Sequence, residues 1–348
     1  MTDDKPQRAL VAGWFSFENT AAAVGDVLAK DLVCEWLDLA GVVYDVALAP
    51  PLTGGVDYFS VDPARYSHLI FVCGPFYKSN LLQRFEGCHR IGINLSMVEP
   101  VDSWNPFDLL LERDSSAATR PDITFLSSVP RVPVVGLVLG RMDENAGRPG
   151  SSYQIANAAL QQLVESRDMS AVPIDTRLDI PTTGSFRTAR EIESLIGRMD
   201  VVLTTRLHGL VLALKNGVPA IAIDPIPQGD KIRRQAEILG WPLIFTVDDV
   251  TTKSLQEAFD YAITESARIQ AQECYRGAVK GIEELRDTFL SAMQASDDPN
   301  QEWGDHRRRG TWISTISPAA HKPSISRPSA YSRMRLFLSQ IRRQLINR

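Results

Sequence analysis

The sequence predicts an α/β protein made of two Rossmann-like, doubly wound domains with a cleft between them. Short apolar runs alternate with segments whose apolar residues recur at helical spacing, which is the pattern of parallel strands joined by helices. A chain of 348 residues favours two such domains. Residues 127–133 contain two prolines and mark the expected hinge, so we predict domains over residues 8–130 and 131–292.

The first predicted domain contains five strands and one long helix. Its strands cover residues 9–13, 42–48, 68–74, 91–95 and 107–111, and its helix covers residues 21–40. Each strand is a short, mostly apolar run, as expected for strands that are buried on both faces of a parallel sheet.

The second predicted domain repeats this alternation with more helices. Its strands cover residues 134–140, 170–174, 201–203, 218–223 and 243–247. Its helices cover residues 153–167, 188–198 and 231–239, with one more between Thr205 and Asn216 and two between residues 253 and 291. The strand, helix and strand over residues 201–223 form a right-handed βαβ unit.

The junction between the strand at 201–203 and the next helix carries the polar residues Arg206 and His208. We expect Thr204 and Thr205 to cap this helix. Parallel α/β sheets bind ligands at the carboxyl ends of their strands, beside helix N-termini that attract anions. The sequence therefore predicts an anion site here, although Arg206 in an ion pair and His208 in the core are the structural alternatives.

A longer pattern surrounds this junction. It runs through Thr205-Arg206-Leu207-His208-Gly209, Leu212-Ala213-Leu214, Gly217-Val218-Pro219, Asp224 and Lys231. In order and spacing it resembles the signature region of the polysaccharide pyruvyl transferase family. The resemblance implies a fold like that of the two-domain GT-B glycosyltransferases, with facing domains, the first on the acceptor side and the second on the donor side.

The resemblance also implies an activity, which is the transfer of pyruvate from phosphoenolpyruvate to two hydroxyls of one sugar as a ketal. The donor substrate is then phosphoenolpyruvate, with no separate cofactor. No metal-ligand cluster is evident in the sequence, so we expect no catalytic metal. The acceptor is a cell-surface glycan or its lipid-linked precursor.

Roles for individual residues follow from this activity. Arg206 is expected to bind the donor, since a guanidinium pairs with phosphate or carboxylate through two hydrogen bonds. His208 is expected to act as general acid and base, because an imidazole titrates near neutrality. The remaining predicted substrate-binding residues are Thr205, Gly209, Arg141, Lys231, Asn19 and Asp26. Arg141 and Lys231 are assigned to the leaving phosphate.

Asn19 and Asp26 correspond loosely to the family's Gly-Asn-x-Gly-Asp turn, from which this sequence departs by a longer loop. A turn residue and a first-turn acid are their structural alternatives.

Other classes of protein are excluded or left open by motif and charge. The sequence has no Gly-x-Gly-x-x-Gly after a strand and no P-loop, so NAD and P-loop nucleotide sites have no support. Ten of the 37 basic residues but none of the 42 acidic residues lie beyond residue 305, so the preceding chain carries −15 and is not expected to bind nucleic acid. A nucleotide-sugar glycosyltransferase and an inactive glycan-binding or scaffolding relative remain alternatives.

The C-terminal tail is predicted to be separate from both domains. Residues 293–330 are polar and rich in serine and proline, and are expected to be disordered. Residues 331–348 form a predicted basic amphipathic helix, which either lies on an anionic membrane surface or packs on the acidic body. With no secretory signal and no apolar run of membrane-spanning length, we expect a cytoplasmic protein, peripheral to the inner membrane face if the helix binds lipid.

Overall fold

The structure, a computed structural model, describes residues 7–20, 22–141, 152–178 and 186–294. The predicted linker over residues 293–330 lies outside these residues except for 293 and 294, and the predicted basic helix over 331–348 lies outside them entirely. The chain divides between Pro130 and Arg131 into two compact units, which we call the first and the second unit.

The first unit is built on a five-stranded parallel sheet. The strands are β1 (Arg8–Gly13), β2 (Val43–Val46), β3 (His68–Phe76), β4 (His89–Met97) and β5 (Leu109–Leu111), in the order β2-β1-β3-β4-β5. Helix α1 (Val24–Leu39) packs on one face, where Ala29 and Val33 enter the core. Aromatic side chains from loops and short 3₁₀ turns, including Tyr58 and Phe85, fill the other face.

The second unit contains another five-stranded parallel sheet. Its strands are β6 (Val134–Val138), β7 (Ser170–Pro173), β8 (Val201–Thr204), β9 (Ala220–Asp224) and β10 (Ile244–Thr246), in the order β10-β9-β8-β6-β7. Its helices are α2 (Tyr153–Glu165), α3 (Ala189–Ile196), α4 (Leu207–Lys215), α5 (Lys231–Leu239), α6 (Thr252–Ala262) and α7 (Glu265–Gln294). None of the helices described is both long and apolar enough to cross a membrane.

The two strand orders confirm the predicted α/β class with two Rossmann-like sheets. In each sheet the second strand lies on one side of the first strand, and the third strand lies on its other side. The order therefore reverses between β1 and β3 in the first unit and between β6 and β8 in the second. In open α/β sheets the crevice outside such a reversal is where ligands bind.

Most element boundaries agree with the sequence to within a few residues, but two strands differ for a visible reason. β3 was expected to end at residue 74, and it continues to Phe76 because its backbone turns through positive φ at Cys73 and Gly74 and then resumes pairing with β4. β6 was expected to reach residue 140 but ends at Val138, after which Gly140 takes part in the site.

Candidate active site

The predicted anion site lies where β8 passes into α4, beside the strand reversal of the second unit. Arg206 is the N-cap residue of α4, in extended conformation with φ −119° and ψ 141°. The helix then begins at Leu207, so the amides of Leu207, His208 and Gly209 occupy the first turn, which an α-helix leaves without intrahelical partners. These amides and the helix dipole favour an anion at this edge.

The expected capping by Thr204 and Thr205 is wrong, because Arg206 occupies the cap position and makes no side-chain capping bond. Both threonines are fully buried. The hydroxyl of Thr204 donates to Val138 O at 2.9 Å and accepts from Arg206 N at 2.9 Å, so it fastens β8 to β6 and orients the residue that follows.

Thr205 closes a hydrogen-bonded ring of three residues behind the site. Its hydroxyl accepts from Gly140 N at 2.8 Å and donates to Asn157 Oδ1 at 2.8 Å, and Asn157 Nδ2 donates to Gly140 O at 2.9 Å. Thr205 was predicted to bind substrate; its burial and its two bonds instead make it a residue that positions the end of β6. No local pattern in the sequence marks Asn157, which lies inside α2.

Gly209 is required by the packing of α4 on the sheet. A Cβ at this position would lie 2.1 Å from Thr204 Oγ1 and 3.0 Å from Val138 Cγ1. The missing side chain therefore faces the protein interior rather than a ligand, and only the backbone amide of Gly209 can contribute to the predicted substrate binding.

The side chain of Arg206 lies next to a carboxylate that the sequence analysis did not select. Arg206 Nη1 is 3.9 Å from Asp175 Oδ1, and Arg177 Nη2 is 3.0 Å from Asp175 Oδ2. The two arginine side chains are 16% and 17% exposed, whereas that of Asp175 is 48% exposed. Hydrogen bonds from Arg177, with the charge of Arg206 contributing less, lower the pKa of the Asp175 carboxyl, which therefore stays ionised.

A buried hydroxyl lies between these two residues in sequence. The Oγ1 atom of Thr176 is buried and has no hydrogen-bond partner within the described parts of the chain. Buried polar groups in folded proteins are almost always paired, and residues 179–185, just beyond this turn, lie outside the described parts of the chain. Asp175 and Arg177, paired with each other beside Arg206, extend the arginine site beyond the predicted motif.

Comparison with known proteins identifies the region that contains this site. The polysaccharide pyruvyl transferase family model matches residues 110–226. The match includes Arg206, His208 and the Asp175–Arg177 turn, and it confirms the resemblance predicted from the sequence over about a third of the chain. No curated protein matches the sequence.

Two solved glycosyltransferases resemble the chain weakly. Spinosyn forosaminyltransferase SpnP has 13% identity and a TM-score of 0.30, and the match covers 82% of this chain and 99% of that one. The calicheamicin glycosyltransferase CalG4 has 10% identity and a TM-score of 0.29, and the match covers 81% of this chain and 98% of that one.

Of the other site residues predicted in the second unit, His208 and Arg141 are exposed at the same edge. His208 is the second residue of α4 and is open to solvent, so the alternative of a core histidine is wrong. Arg141 follows Gly140 directly and is also exposed. The structure therefore presents both side chains at the carboxyl ends of the two strands that flank the reversal.

Lys231, the predicted second phosphate ligand, is exposed as the first residue of α5. The anion that this helix terminus attracts is supplied by the chain itself. The buried carboxylate of Asp224 accepts hydrogen bonds from Asp230 N at 2.7 Å, Arg233 N at 3.1 Å and Ile226 N at 3.1 Å. Asp224 therefore stabilises the start of α5, and Lys231 lies outside this bonded cluster.

Asn19 and Asp26 belong to the first unit, whereas the residues described above belong to the second. Asn19 is exposed in a turn with φ 60°, and Asp26 in the first turn of α1 accepts from Ala23 N at 2.8 Å. These placements match the turn residue and first-turn acid that we gave as alternatives. Burial, with a hydrogen bond to Asp26, raises the pKa of the neighbouring Cys73 thiol to about 12, so this thiol is not a nucleophile.

Proposed function

We infer that the protein transfers pyruvate from phosphoenolpyruvate to two hydroxyls of one sugar in a glycan. The observation that carries this proposal is the position of Arg206. It occupies the N-cap position of α4 at the strand reversal, inside the stretch that matches the pyruvyl transferase model. A guanidinium at a helix N-terminus is suited to a small, highly charged donor.

Phosphoenolpyruvate carries a carboxylate and a phosphate, so it needs more than one group of donors. Arg206 supplies a planar pair of N–H groups, and the first-turn amides of α4 supply fixed backbone donors. Arg177, which shares the Asp175 carboxylate with Arg206, adds a second guanidinium within the same cluster. The donor's two anionic groups can therefore be held at separate places along this edge.

The reaction requires protons to move in a defined way. The methylene carbon of the donor gains a proton and becomes a methyl group, the first sugar hydroxyl adds to the neighbouring carbon, and the C–O bond to phosphate breaks as the second hydroxyl adds. The two hydroxyl protons go to the methyl group and to the released phosphate. His208, exposed on the first turn of α4, is the residue we assign to shuttle one of them.

Phosphate release tests the proposal directly. The full chain is incubated with phosphoenolpyruvate and a panel of glycans, and inorganic phosphate and product mass are measured. We expect phosphate in equal amount to a product that gains the mass of pyruvate less one water. Release of a nucleotide from nucleotide sugars under the same conditions, with none of phosphate from phosphoenolpyruvate, would show a glycosyltransferase instead.

A further inference from the structure

The first unit carries a row of aromatic side chains that partly faces solvent. We call Trp14, Phe17, Phe59 and Tyr77 the aromatic ridge. Tyr77 stacks on Trp14 with ring centroids 5.5 Å apart and planes 18° apart, Trp14 meets Phe17 edge-on at 6.1 Å, and Phe17 lies 5.8 Å from Phe59. The four rings are therefore in continuous contact.

The ridge stands at the ligand-binding edge of the first sheet. Trp14 follows the last residue of β1, and Tyr77 follows the last residue of β3, which are the two strands between which the order reverses. Phe59 is 64% exposed and Tyr77 is 48% exposed. Large aromatic rings are normally covered in a folded protein, so a contiguous group of exposed aromatic rings indicates a binding surface.

The backbone holds the ridge in place. Trp14 Nε1 donates to Pro75 O at 2.9 Å, and the buried ring of Phe71 supports Trp14 edge-on at 5.8 Å. Gly74, at φ 85°, allows this arrangement because a Cβ there would lie 2.4 Å from Trp14 Cδ1. The Trp14 ring on which Tyr77 stacks is thus fixed before any ligand arrives, which lowers the entropic cost of binding.

Carboxylates border the rings. Asp57 accepts from Phe59 N at 3.1 Å, and a hydrogen bond from the Ser60 hydroxyl lowers its pKa, so it is ionised at neutral pH. Glu99 accepts from the backbone N of Lys78, the residue after Tyr77, at 3.0 Å. Flat apolar faces next to carboxylate oxygen acceptors complement a sugar ring, which has an apolar C–H face and hydroxyl groups around its rim.

We propose that the aromatic ridge binds the glycan acceptor, with one pyranose ring against Tyr77 and its hydroxyls directed to Glu99, and a second against Phe59 and its hydroxyls directed to Asp57. This inference rests on the proposed function for the identity of the ligand as an acceptor. The family match implies a glycan acceptor, and the ridge is the aromatic surface at the strand reversal of the first unit. An uncharged sugar fits it better than an anionic donor, because the bordering carboxylates repel anions.

Sugar binding without donor tests this inference. Methyl pyranosides of glucose, galactose, mannose and N-acetylglucosamine, with their β-linked disaccharides, are titrated into the full chain and followed by saturation-transfer NMR and calorimetry. We expect at least one to bind wild type. Tyr77→Ala and Phe59→Ala should each weaken that affinity about 5- to 10-fold, and Tyr77→Phe should retain it because the ring remains.

Phe125→Ala is the matched control, since Phe125 is an 86% exposed aromatic residue of the same unit outside the ridge. Its sugar affinity should equal that of wild type. The inference is overturned if no panel sugar binds wild type, or if Tyr77→Ala and Phe59→Ala bind as tightly as the control. If the protein turns over phosphoenolpyruvate but both variants keep wild-type sugar affinity, only the sugar-binding role of the ridge is refuted. If the ridge binds sugar but the protein does not respond to phosphoenolpyruvate, only the proposed donor substrate is refuted.

Discussion

Replacing Gly209 by alanine tests how closely α4 must approach the sheet to form the site. The new Cβ would lie 2.1 Å from Thr204 Oγ1, 2.8 Å from Thr204 Cβ and 3.0 Å from Val138 Cγ1. Both neighbours are fully buried, so neither side chain can move into solvent. Either Thr204 rotates or the first turn of α4 moves away from β8.

The loss of folding free energy in Gly209→Ala is the sum of three contributions. Overpacking a buried contact costs about 1–3 kcal/mol. Rotation of Thr204 gives up its bonds to Val138 O and Arg206 N, at about 1 kcal/mol each. The higher helix propensity of alanine relative to glycine offsets about 1 kcal/mol of this loss. We therefore expect a net loss of about 2–4 kcal/mol, with a melting temperature lower by roughly 5–15 °C.

Urea and thermal denaturation followed by circular dichroism measure this loss. The matched control is Gly277→Ala, because Gly277 lies in α7 and a Cβ there meets nothing within 4 Å. The control should be stabilised by about 0.5–1 kcal/mol. A Gly209→Ala protein as stable as wild type would show that α4 does not press on Thr204. In the double variant with Thr204→Ala the two losses should be less than additive, since the closest clashing atom is gone.

Four further changes test other parts of the structure. Arg206→Lys should fold normally but lose most turnover of phosphoenolpyruvate, because an ammonium cannot form a planar pair of bonds; near wild-type steady-state rates would contradict this role. His208→Ala should keep donor affinity in calorimetry and turn over at least ~100-fold more slowly, and an equal loss of both would point to binding. Thr205→Val should destabilise the fold by about 1–3 kcal/mol in urea, while Thr205→Ser, which keeps the hydroxyl, should not.

The fourth change concerns acid stability. Burial alone would raise the pKa of Asp122, but hydrogen bonds from Thr124 N and Arg113 outweigh it and lower the pKa to about 2. A depressed pKa stabilises the fold above pH 4, by about 2 kcal/mol, and that contribution disappears as pH falls from 4 to 2. The stability difference between wild type and Asp122→Asn should shrink over this range, and a constant difference would refute the assignment.

The fold was predictable from sequence because its strands are continuous apolar runs and its helices have clear ends. Val201 to Leu203 and Ala220 to Ile223 are buried throughout, as their composition predicts. Positive φ at Gly217 and Gly240 ends α4 and α5 at the expected places. These signals are local, so a single segment of sequence contains them.

The site was only partly predictable, because half of it depends on strand order. Asp175 follows β7 and Arg206 follows β8, and the two meet across the end of β6, which lies between their strands and ends at Val138. No spacing in the sequence reveals this neighbourhood. An Asp-Thr-Arg sequence directly after an apolar strand was the available signal for Asp175 and Arg177, and Asn157 had none.

The ring formed by Thr205, Asn157 and Gly140 has a fixed direction. The Asn157 amide donates to the Gly140 carbonyl, so its oxygen must accept from the Thr205 hydroxyl, which must in turn accept from the Gly140 amide. The donor and acceptor of one hydrogen bond in this ring cannot be exchanged without breaking two of the bonds. Substitutions of Arg141 and Arg177, which are not members of this ring, should therefore leave the ends of β6 and β8 in place.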